Sequence, residues 1–105
     1  MRIPARHGRK DANHSEIVEA LERVGCGVVD MSPLGKGVPD LLVSVKNRYG
    51  RHLVLMEIKT AAGKVRKSQL AFEAEGWEVF LVRSVEDALR VVLKTRSAWW
   101  GSRCE

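Results

Sequence analysis

Two acidic residues and a lysine interrupt otherwise apolar segments in the middle of this chain. Asp40 opens the apolar run 40–45, while Glu57 and Lys59 lie near the end of the run 52–59. A short polar turn separates the two runs, which predicts an antiparallel hairpin in which one strand starts beside the end of the other. We therefore expect Asp40 and Glu57 to be neighbours. Lys59 lies two residues after Glu57 and should project from the same face.

Paired carboxylates of this kind suit a divalent cation, because two such groups repel each other unless a positive charge lies between them. Mg²⁺ prefers oxygen ligands, commonly one or two carboxylates plus waters and phosphate oxygens. We expect Asp40, Glu57 and the backbone carbonyl of Ile58 to supply part of a shell for Mg²⁺ or Mn²⁺. The ion would neutralise charge on a phosphate and acidify a water. Lys59 would orient the attacking water or stabilise the developing negative charge.

Each of these residues also has an ordinary structural interpretation. An aspartate after a proline is usually a turn residue, and a Glu-x-Lys on a strand is often a solvated face. Taken together they favour a metal-binding catalytic site. Asp40 and Glu57 both occur among apolar neighbours, and buried acids without a partner are costly.

Helices are expected before and after the strands that carry these residues. Apolar residues recur with helical spacing over 14–24, and Asn13 with Glu16 three positions later forms a capping-box pattern. A second, short helix is expected from Ser68, and a third from Ser84. The apolar face of the third helix is predicted at Val85, Leu89, Val92 and Leu93.

Four strands are expected, at 28–32, 40–45, 52–59 and 78–82. The order of elements is α-β-β-β-α-β-α. Three strands in a meander, then a crossover helix and a fourth strand, predict an α/β fold with a mixed sheet and helices on both of its faces.

The positive charge of the chain points to a polyanionic partner. The 105 residues carry a net charge of +5, and four basic residues precede the first acid, Asp11. The rest of the chain is therefore nearly neutral, and residues 1–12 form a basic arm without apolar periodicity. Such an arm favours nucleic acid as the partner. The basic residues expected to contact nucleic acid are Arg2, Arg6, Arg9, Lys10, Lys36, Lys64, Arg66 and Lys67. The alternative for the four that lie in loops, at 36, 64, 66 and 67, is an ordinary solvated side chain.

Other classes of protein are excluded by composition. No apolar run approaches the roughly 18 residues of a membrane span, and no apolar segment follows the first positive charges as in a secretory signal. We therefore expect a cytoplasmic protein without a membrane partner. Cys26 and Cys104 are far apart and form no zinc-binding pattern.

The motifs together resemble a known nuclease superfamily. Val38-Pro39-Asp40 followed by Glu57-Ile58-Lys59 is similar to the PD-(D/E)xK signature, and the αβββαβ order resembles the restriction-endonuclease-like core of that superfamily, here with an extra C-terminal helix. Within it, the chain most resembles the VRR-NUC (virus-type replication-repair nuclease) domain in its stand-alone phage and bacterial form. The similar segments, within about residues 11–93, are 11–17, 37–42, 57–59, 68–72 and 82–88.

The resemblance implies a role for each matching position. Asp40 and Glu57 would be metal ligands, and Lys59 the catalytic lysine. Gln69 would help to position Lys59 or the phosphate, and Glu16 would reach the metal through a water. The alternatives are a solvated helix residue at Gln69 and a plain capping acid at Glu16.

Several other residues keep two interpretations. His14 is either a packing residue or a phosphate contact, and Arg83 is either a strand-end surface charge or part of the rim of the site. Trp99 and Trp100 would cap the core, stack on a base or pack across a subunit interface.

We therefore expect a nuclease domain at 13–95, preceded by a flexible basic arm at 1–12 and followed by a tail at 96–105. Its function would be metal-dependent endonucleolytic hydrolysis of DNA in a bacterial cell or a phage-infected host. A domain this small contacts little DNA, so we expect a homodimer that acts on branched DNA such as a four-way junction. The alternative is a non-catalytic nucleic-acid-binding module that retains the fold. An archaeal-type Holliday junction resolvase would share both fold and chemistry.

Overall fold

The computed structural model describes residues 13–60, 64 and 67–98. These residues form three α-helices, four β-strands and a short 3₁₀ helix at Ser32–Leu34. In chain order the main elements are α1 (His14–Arg23), β1 (Gly27–Asp30), β2 (Leu41–Asn47), β3 (Gly50–Ile58), α2 (Lys67–Ala74), β4 (Val79–Val82) and α3 (Val85–Ser97).

The four strands form one mixed sheet in the order β1-β2-β3-β4. β1, β2 and β3 are antiparallel neighbours, and β4 joins β3 in parallel after the crossover that contains α2. The expected α/β fold with a mixed sheet is thereby confirmed. The first strand ends at Asp30 rather than at residue 32, because Pro33 lies in the 3₁₀ helix and cannot extend the ladder.

One face of the sheet carries the core. Alternate residues of β2 and β3 are buried beneath α1 and α3, which also contact each other. The members of this core include Ile17, Leu21, Leu41, Val43, Val45, Met56, Ile58, Val82, Ala88 and Val92.

The opposite face, here called the open face, holds the side chains that alternate with the core. α2 lies on this side, because its residue Gln69 donates a hydrogen bond to Glu57. The helices therefore flank both faces of the sheet, as expected. The open-face residues are Val29, Leu42, Ser44, Lys46, Arg51, Leu53, Leu55, Glu57, Val79 and Leu81.

The expected capping box at α1 is wrong. The backbone of Asn13 has φ −87° and ψ 0°, and its side chain makes no capping hydrogen bond. An N-cap side chain reaches the helix N–H groups from an extended backbone, which Asn13 does not have. Its amide instead donates to the Arg83 carbonyl at 3.0 Å and ties the start of α1 to the end of β4.

The third helix begins where expected, and its buried face differs from the expected one at Leu93. The Asp87 N–H donates to Ser84 Oγ at 3.1 Å, which confirms the N-cap. Leu93, expected on the apolar face, is 64% exposed. Val92 is buried and Val85 packs against the core, as expected, and Ala88 and Thr95 are buried as well. Leu93 is turned about 100° away from Val92 around the helix axis. The helix continues to Ser97, two residues into the segment expected to be a tail.

The described residues also bear on the expectations about membrane spans and cysteines. Within the described ranges, no helix combines the length and apolar character needed to span a membrane. Cys26 is a buried free thiol. The expected basic arm at 1–12, together with Trp99, Trp100 and Cys104, lies outside the described residues.

Asn47 connects the β2–β3 hairpin to α3. Its amide donates to the Thr95 carbonyl at 3.1 Å, and its Oδ1 accepts the Tyr49 N–H at 2.7 Å. His52 Nε2 lies 2.9 Å from the same oxygen. Asn47 is buried, so water cannot replace these partners if its side chain is removed.

We therefore predict that Asn47→Ala lowers the free energy of unfolding by about 1–3 kcal/mol, because buried backbone groups lose their partners. Urea unfolding followed by circular dichroism measures the change. Ser97→Ala is the control, since Ser97 Oγ makes an exposed hydrogen bond to the Leu93 carbonyl and should contribute less than about 0.5 kcal/mol. Equal effects of the two substitutions would contradict a structural role for Asn47.

Candidate functional site

Asp40 and Glu57 lie side by side at adjacent ends of β2 and β3. The register pairs Leu41 with Met56, which sets residue 40 next to residue 57. Asp40 Oδ2 accepts the Ile58 N–H at 2.8 Å, so the aspartate is held against the end of β3. The preceding Pro39 is fully buried, which fixes the direction in which the chain enters β2. The hairpin therefore brings the two acids together as the spacing predicts.

Glu57 is the buried centre of this group. Its side chain is on the open face yet only 7% exposed. Glu57 Oε2 accepts a hydrogen bond from Gln69 Nε2 and lies 3.6 Å from Lys59 Nζ. Glu57 Oε1 is buried and has no partner of normal hydrogen-bond geometry. A buried carboxylate oxygen without a partner is costly, so this atom marks a place that suits a cation or a proton.

The environment of Glu57 favours its neutral form. Burial, and to a smaller extent the charge of Asp40, raise the pKa of the Glu57 carboxyl from 4.5 to about 7. The Lys59 charge and the hydrogen bonds from Gln69 and from the Asp40 backbone lower this pKa, but they do not offset the burial. A cation bound between Asp40 and Glu57 would restore the ionised form.

Lys59 projects to the same side as Glu57 and is 8% exposed. Its backbone N–H donates to the Val82 carbonyl at 3.0 Å, so the parallel strand β4 fixes its position. The Arg83 guanidinium donates to the Thr60 carbonyl just beyond it. Arg83 therefore ties the end of β4 to the segment that follows Lys59, where it supports the site rather than standing as an isolated surface charge.

A cavity of about 230 Å³ opens beside Glu57. It lies between α2 and the open face, and Glu73 lines it together with Gln69 one helical turn earlier. Glu73 was not among the residues predicted for the site. Its position four residues after Gln69 could have indicated it, because residues four apart share one face of a helix. The cavity walls include Gly37, Pro39, Glu57, Gln69, Leu70 and Glu73.

Gly37 lets the loop before β2 approach α2. Its φ is +83°, and a Cβ built there would lie 2.3 Å from the Ser68 carbonyl oxygen. Lys36 precedes this contact in the loop, and Lys67 precedes it at the start of α2. Both lysines are exposed. The close approach therefore gathers basic side chains from two separate segments near the cavity.

The remaining expected residues are Glu16 and the other basic residues predicted to contact DNA. Glu16 is exposed in the first turn of α1. No hydrogen bond or ion pair among the described residues joins it to Asp40 or Glu57, and its role stays a prediction. Lys64 is exposed. Arg2, Arg6, Arg9, Lys10 and Arg66 lie outside the described residues.

His14 has a structural environment. It is buried in α1, and its Nε2 lies 3.4 Å from Asp30 Oδ2 at the end of β1. The pair connects the helix to the edge strand, which favours the packing interpretation over a phosphate contact.

The oxygen atoms that could bind a metal ion at this site are few, but they suit a hard cation. In the described part of the chain, no group of three or more histidine, cysteine, aspartate or glutamate side chains is placed to hold a metal ion. Asp40 and Glu57 offer two carboxylates, one of them with an unpartnered oxygen, and the Ile58 carbonyl lies at the same strand end. Mg²⁺ commonly takes one or two protein carboxylates and keeps waters or phosphate oxygens as its other ligands. The residues therefore fit an ion of this type.

The raised pKa of Glu57 predicts a pH-dependent stability. The folded value of about 7 exceeds the ordinary 4.5, so the folded protein holds a proton that the unfolded chain releases between these values. Without divalent cations, the free energy of unfolding should fall as the pH rises through this window, by at most about 3 kcal/mol. Glu57→Gln should remove the fall. Urea unfolding with a chelator at about pH 5 and about pH 8 measures it.

Glu75→Gln is the matched control, because Glu75 is exposed in the turn after α2. It should keep the pH dependence of the parent protein. If the free energy of unfolding of Glu57→Gln fell with pH as much as that of the parent protein, a group other than Glu57 would be the cause.

The Gly37 contact gives a second prediction. Gly37→Ala and Gly76→Ala both place a side chain at positive φ, +83° and +109°, which costs about 1–3 kcal/mol of stability. Only the Cβ of Gly37→Ala would also collide with the backbone of Ser68. This collision should displace the start of α2 and weaken the Gln69–Glu57 hydrogen bond. Because that bond lowers the pKa of Glu57, Gly37→Ala should raise this pKa and Gly76→Ala should not. Carboxyl ¹³C NMR titration measures it, and equal titration curves would contradict the coupling.

A comparison with protein-family models gives no match for the chain, and comparisons with curated proteins and with solved structures give no significant match either. Any function of the chain must therefore be inferred from Asp40, Glu57, Lys59 and the residues around them.

Proposed function

We propose that the protein is a Mg²⁺- or Mn²⁺-dependent DNA endonuclease of the PD-(D/E)xK superfamily and VRR-NUC type, which cuts branched DNA as a homodimer. One observation carries the proposal. Asp40, Glu57 and Lys59 converge at adjacent strand ends, and Glu57 presents a buried oxygen without a partner. A purely structural ion pair would leave neither a second carboxylate nor an unpartnered oxygen at the same place.

The metal would be held by Asp40, Glu57 and the Ile58 carbonyl. When bound, the ion supplies Lewis-acid chemistry, since it withdraws charge from phosphate oxygens and makes water more acidic. Gln69 holds Glu57 Oε2, which leaves Oε1 as the oxygen available for the ion. Glu16 would contribute through a water, as the family resemblance implies.

Lys59 acts on the attacking water or on the phosphate. Its ammonium group is buried beside Glu57, so it carries little water of its own and interacts more strongly with nearby charge. In the hydrolysis, the oxygen of water bonds to phosphorus, one phosphorus–oxygen ester bond breaks, and the departing oxygen takes up a proton. Lys59 would orient the water or stabilise the negative charge that develops on the phosphate.

DNA would approach from the cavity side. Lys36 and Lys67 flank the contact between the loop and α2, and Lys64 is exposed in the preceding segment. The basic arm expected at 1–12 would add further phosphate contacts. Affinity from such contacts falls as salt is added, because binding releases counterions from DNA.

The proposal predicts metal-dependent cleavage that the three convergent residues control. Asp40→Asn, Glu57→Gln and Lys59→Met should each lower the cleavage rate by at least about a hundredfold, as loss of an electrostatic catalytic group does. Labelled four-way junction, flap and duplex substrates with Mg²⁺ or Mn²⁺ measure the rate. Lys94→Met is the control for Lys59→Met, because Lys94 is exposed on α3 and should leave cleavage unchanged.

Calorimetric titration with Mn²⁺ separates an enzyme from a binding module. The parent protein should bind the ion, and Asp40→Asn should abolish that binding. A parent protein that binds junction DNA without cutting it and shows no Asp40-dependent metal binding would be a non-catalytic module. Cleavage by all three variants at the parent rate would exclude this site as the active site.

A further inference from the structure

The tip of the β2–β3 hairpin carries a group of exposed basic side chains. Residues 41–56 contain no aspartate or glutamate, and Lys46, Arg48 and Arg51 are all exposed there. Tyr49 is 44% exposed in the same turn, and the Arg48 guanidinium lies 5.9 Å from the centre of its ring. None of these residues was predicted to contact nucleic acid. They lie at the far end of the hairpin from the two carboxylates.

The last turn of α3 adds a fourth basic side chain to this end of the molecule. The Asn47 amide donates to the Thr95 carbonyl at 3.1 Å, which sets Arg96 beside the hairpin. Burial raises the pKa of the Cys26 thiol, and the charges of Arg96 and Arg51 lower it, so both guanidinium groups lie near the start of β1. The hairpin patch is defined here as Lys46, Arg48, Arg51 and Arg96.

The segments packed against the hairpin patch do not neutralise it. α3 contains no acid after Asp87. The last turn of α1 adds one acid, Glu22, and one base, Arg23, whose charges cancel. Among the described residues, no salt bridge joins an aspartate or glutamate to a member of the patch. The patch therefore keeps its positive charge.

Two members of the patch lie where they destabilise the sheet. Lys46 and Arg51 are direct cross-strand partners on the open face, and like charges opposite each other weaken an antiparallel pair of strands. The Arg51 guanidinium donates to Ser44 Oγ, an uncharged group, at 3.3 Å. A local arrangement that costs stability without a compensating contact is typical of functional sites. An anion bound beside the two side chains would relieve their repulsion.

The spread of these charges favours a polyanion over a single small ion. Lys46 and Arg51 lie on the open face, whereas Arg96 belongs to α3 on the other side of the sheet. A small anion needs donors that converge on one point. The phosphates of a DNA duplex recur along each strand and can reach separate basic side chains. The exposed hydroxyl of Tyr49 is a further group that donates to phosphate in such interfaces.

The hairpin patch and the carboxylate pair lie at opposite ends of the open face. α2, in which no residue is buried, lies beside Glu57 at the carboxylate end. Arg51 precedes Glu57 by six residues of β3, and a rise of ~3.4 Å per residue separates them by ~20 Å. Along one DNA strand this distance corresponds to about six nucleotides, at ~3.4 Å each.

We infer that the hairpin patch is a second DNA-contact surface, which binds the backbone of a duplex arm about six base pairs from the phosphate that is cut. It extends DNA contact well beyond the loop and helix beside the cavity. This deepens the proposed function, on which the inference rests only for the position of the cut. Binding to the patch needs neither a metal ion nor cleavage.

Removal of two charges tests the patch. A labelled duplex of about 20 base pairs is titrated with protein in a chelator and followed by fluorescence anisotropy, and Arg48→Gln/Arg51→Gln should lower the logarithmic salt slope of binding by about two. At about 0.1 M salt its dissociation constant should rise by at least about tenfold. Arg48→Lys/Arg51→Lys keeps both charges and should retain the salt slope of the parent protein.

Arg90→Gln is the control for loss of an arginine elsewhere. Arg90 is exposed on α3, but Asp87 Oδ1 lies 2.9 Å from its guanidinium and already neutralises it. The salt slope should therefore stay that of the parent protein. Circular dichroism verifies that every variant is folded.

Lys46→Gln separates a binding role from a structural one. It removes the cross-strand repulsion with Arg51, so DNA binding should weaken while the urea midpoint of unfolding does not fall. A midpoint that falls would show that this pair supports the fold, and would contradict its assignment to a ligand.

An unchanged salt slope in Arg48→Gln/Arg51→Gln would overturn the inference. Loss of binding to phosphatidylserine vesicles in that variant, with DNA binding unchanged, would overturn it too and assign the patch to a membrane surface. The proposed function can fail separately. A parent protein that binds the duplex through the patch but cuts no DNA retains the patch and loses the nuclease. Asp40-dependent cleavage with an unchanged salt slope retains the nuclease and loses the patch.

Discussion

The site and much of the fold around it depend on the burial of Glu57 beside a second carboxylate. This burial is unfavourable by itself, because it desolvates a charge and sets it against Asp40. Lys59, Gln69 and the backbone of the hairpin offset only part of this cost. These partners come from β3, from α2 and from the entry to β2. A single buried carboxyl group therefore connects α2 to the paired ends of β2 and β3.

Much of this arrangement follows from local sequence patterns. Two apolar runs and the short polar turn between them predict the β2–β3 hairpin, and the hairpin alone brings Asp40 to Glu57. The N-cap at Ser84 is also local and was predicted correctly. Each of these features depends on residues close in the chain, so propensity and spacing are sufficient to define it.

Features that depend on distant contacts could not be predicted in this way. Asn13 has the residue type of an N-cap, but the Arg83 carbonyl, 70 positions away, takes its amide. Leu93 fits an apolar helical face, yet the sheet meets α3 along Ala88 and Val92. The close approach of Gly37 to Ser68 likewise depends on how the crossover returns. Helical periodicity shows that a helix has a buried side, and tertiary packing decides which residues form it.

The lack of buried residues in α2 has a consequence for how the site is assembled. The β2–β3 hairpin closes a short loop and can form its carboxylate pair early, whereas α2 adds Gln69 only after the chain has crossed to β4. Segments with little buried apolar surface open more readily than the core does. Amide hydrogens of α2 should therefore exchange with solvent faster than those of β3, and the Glu57 carboxyl loses and regains its Gln69 donor while the sheet remains folded.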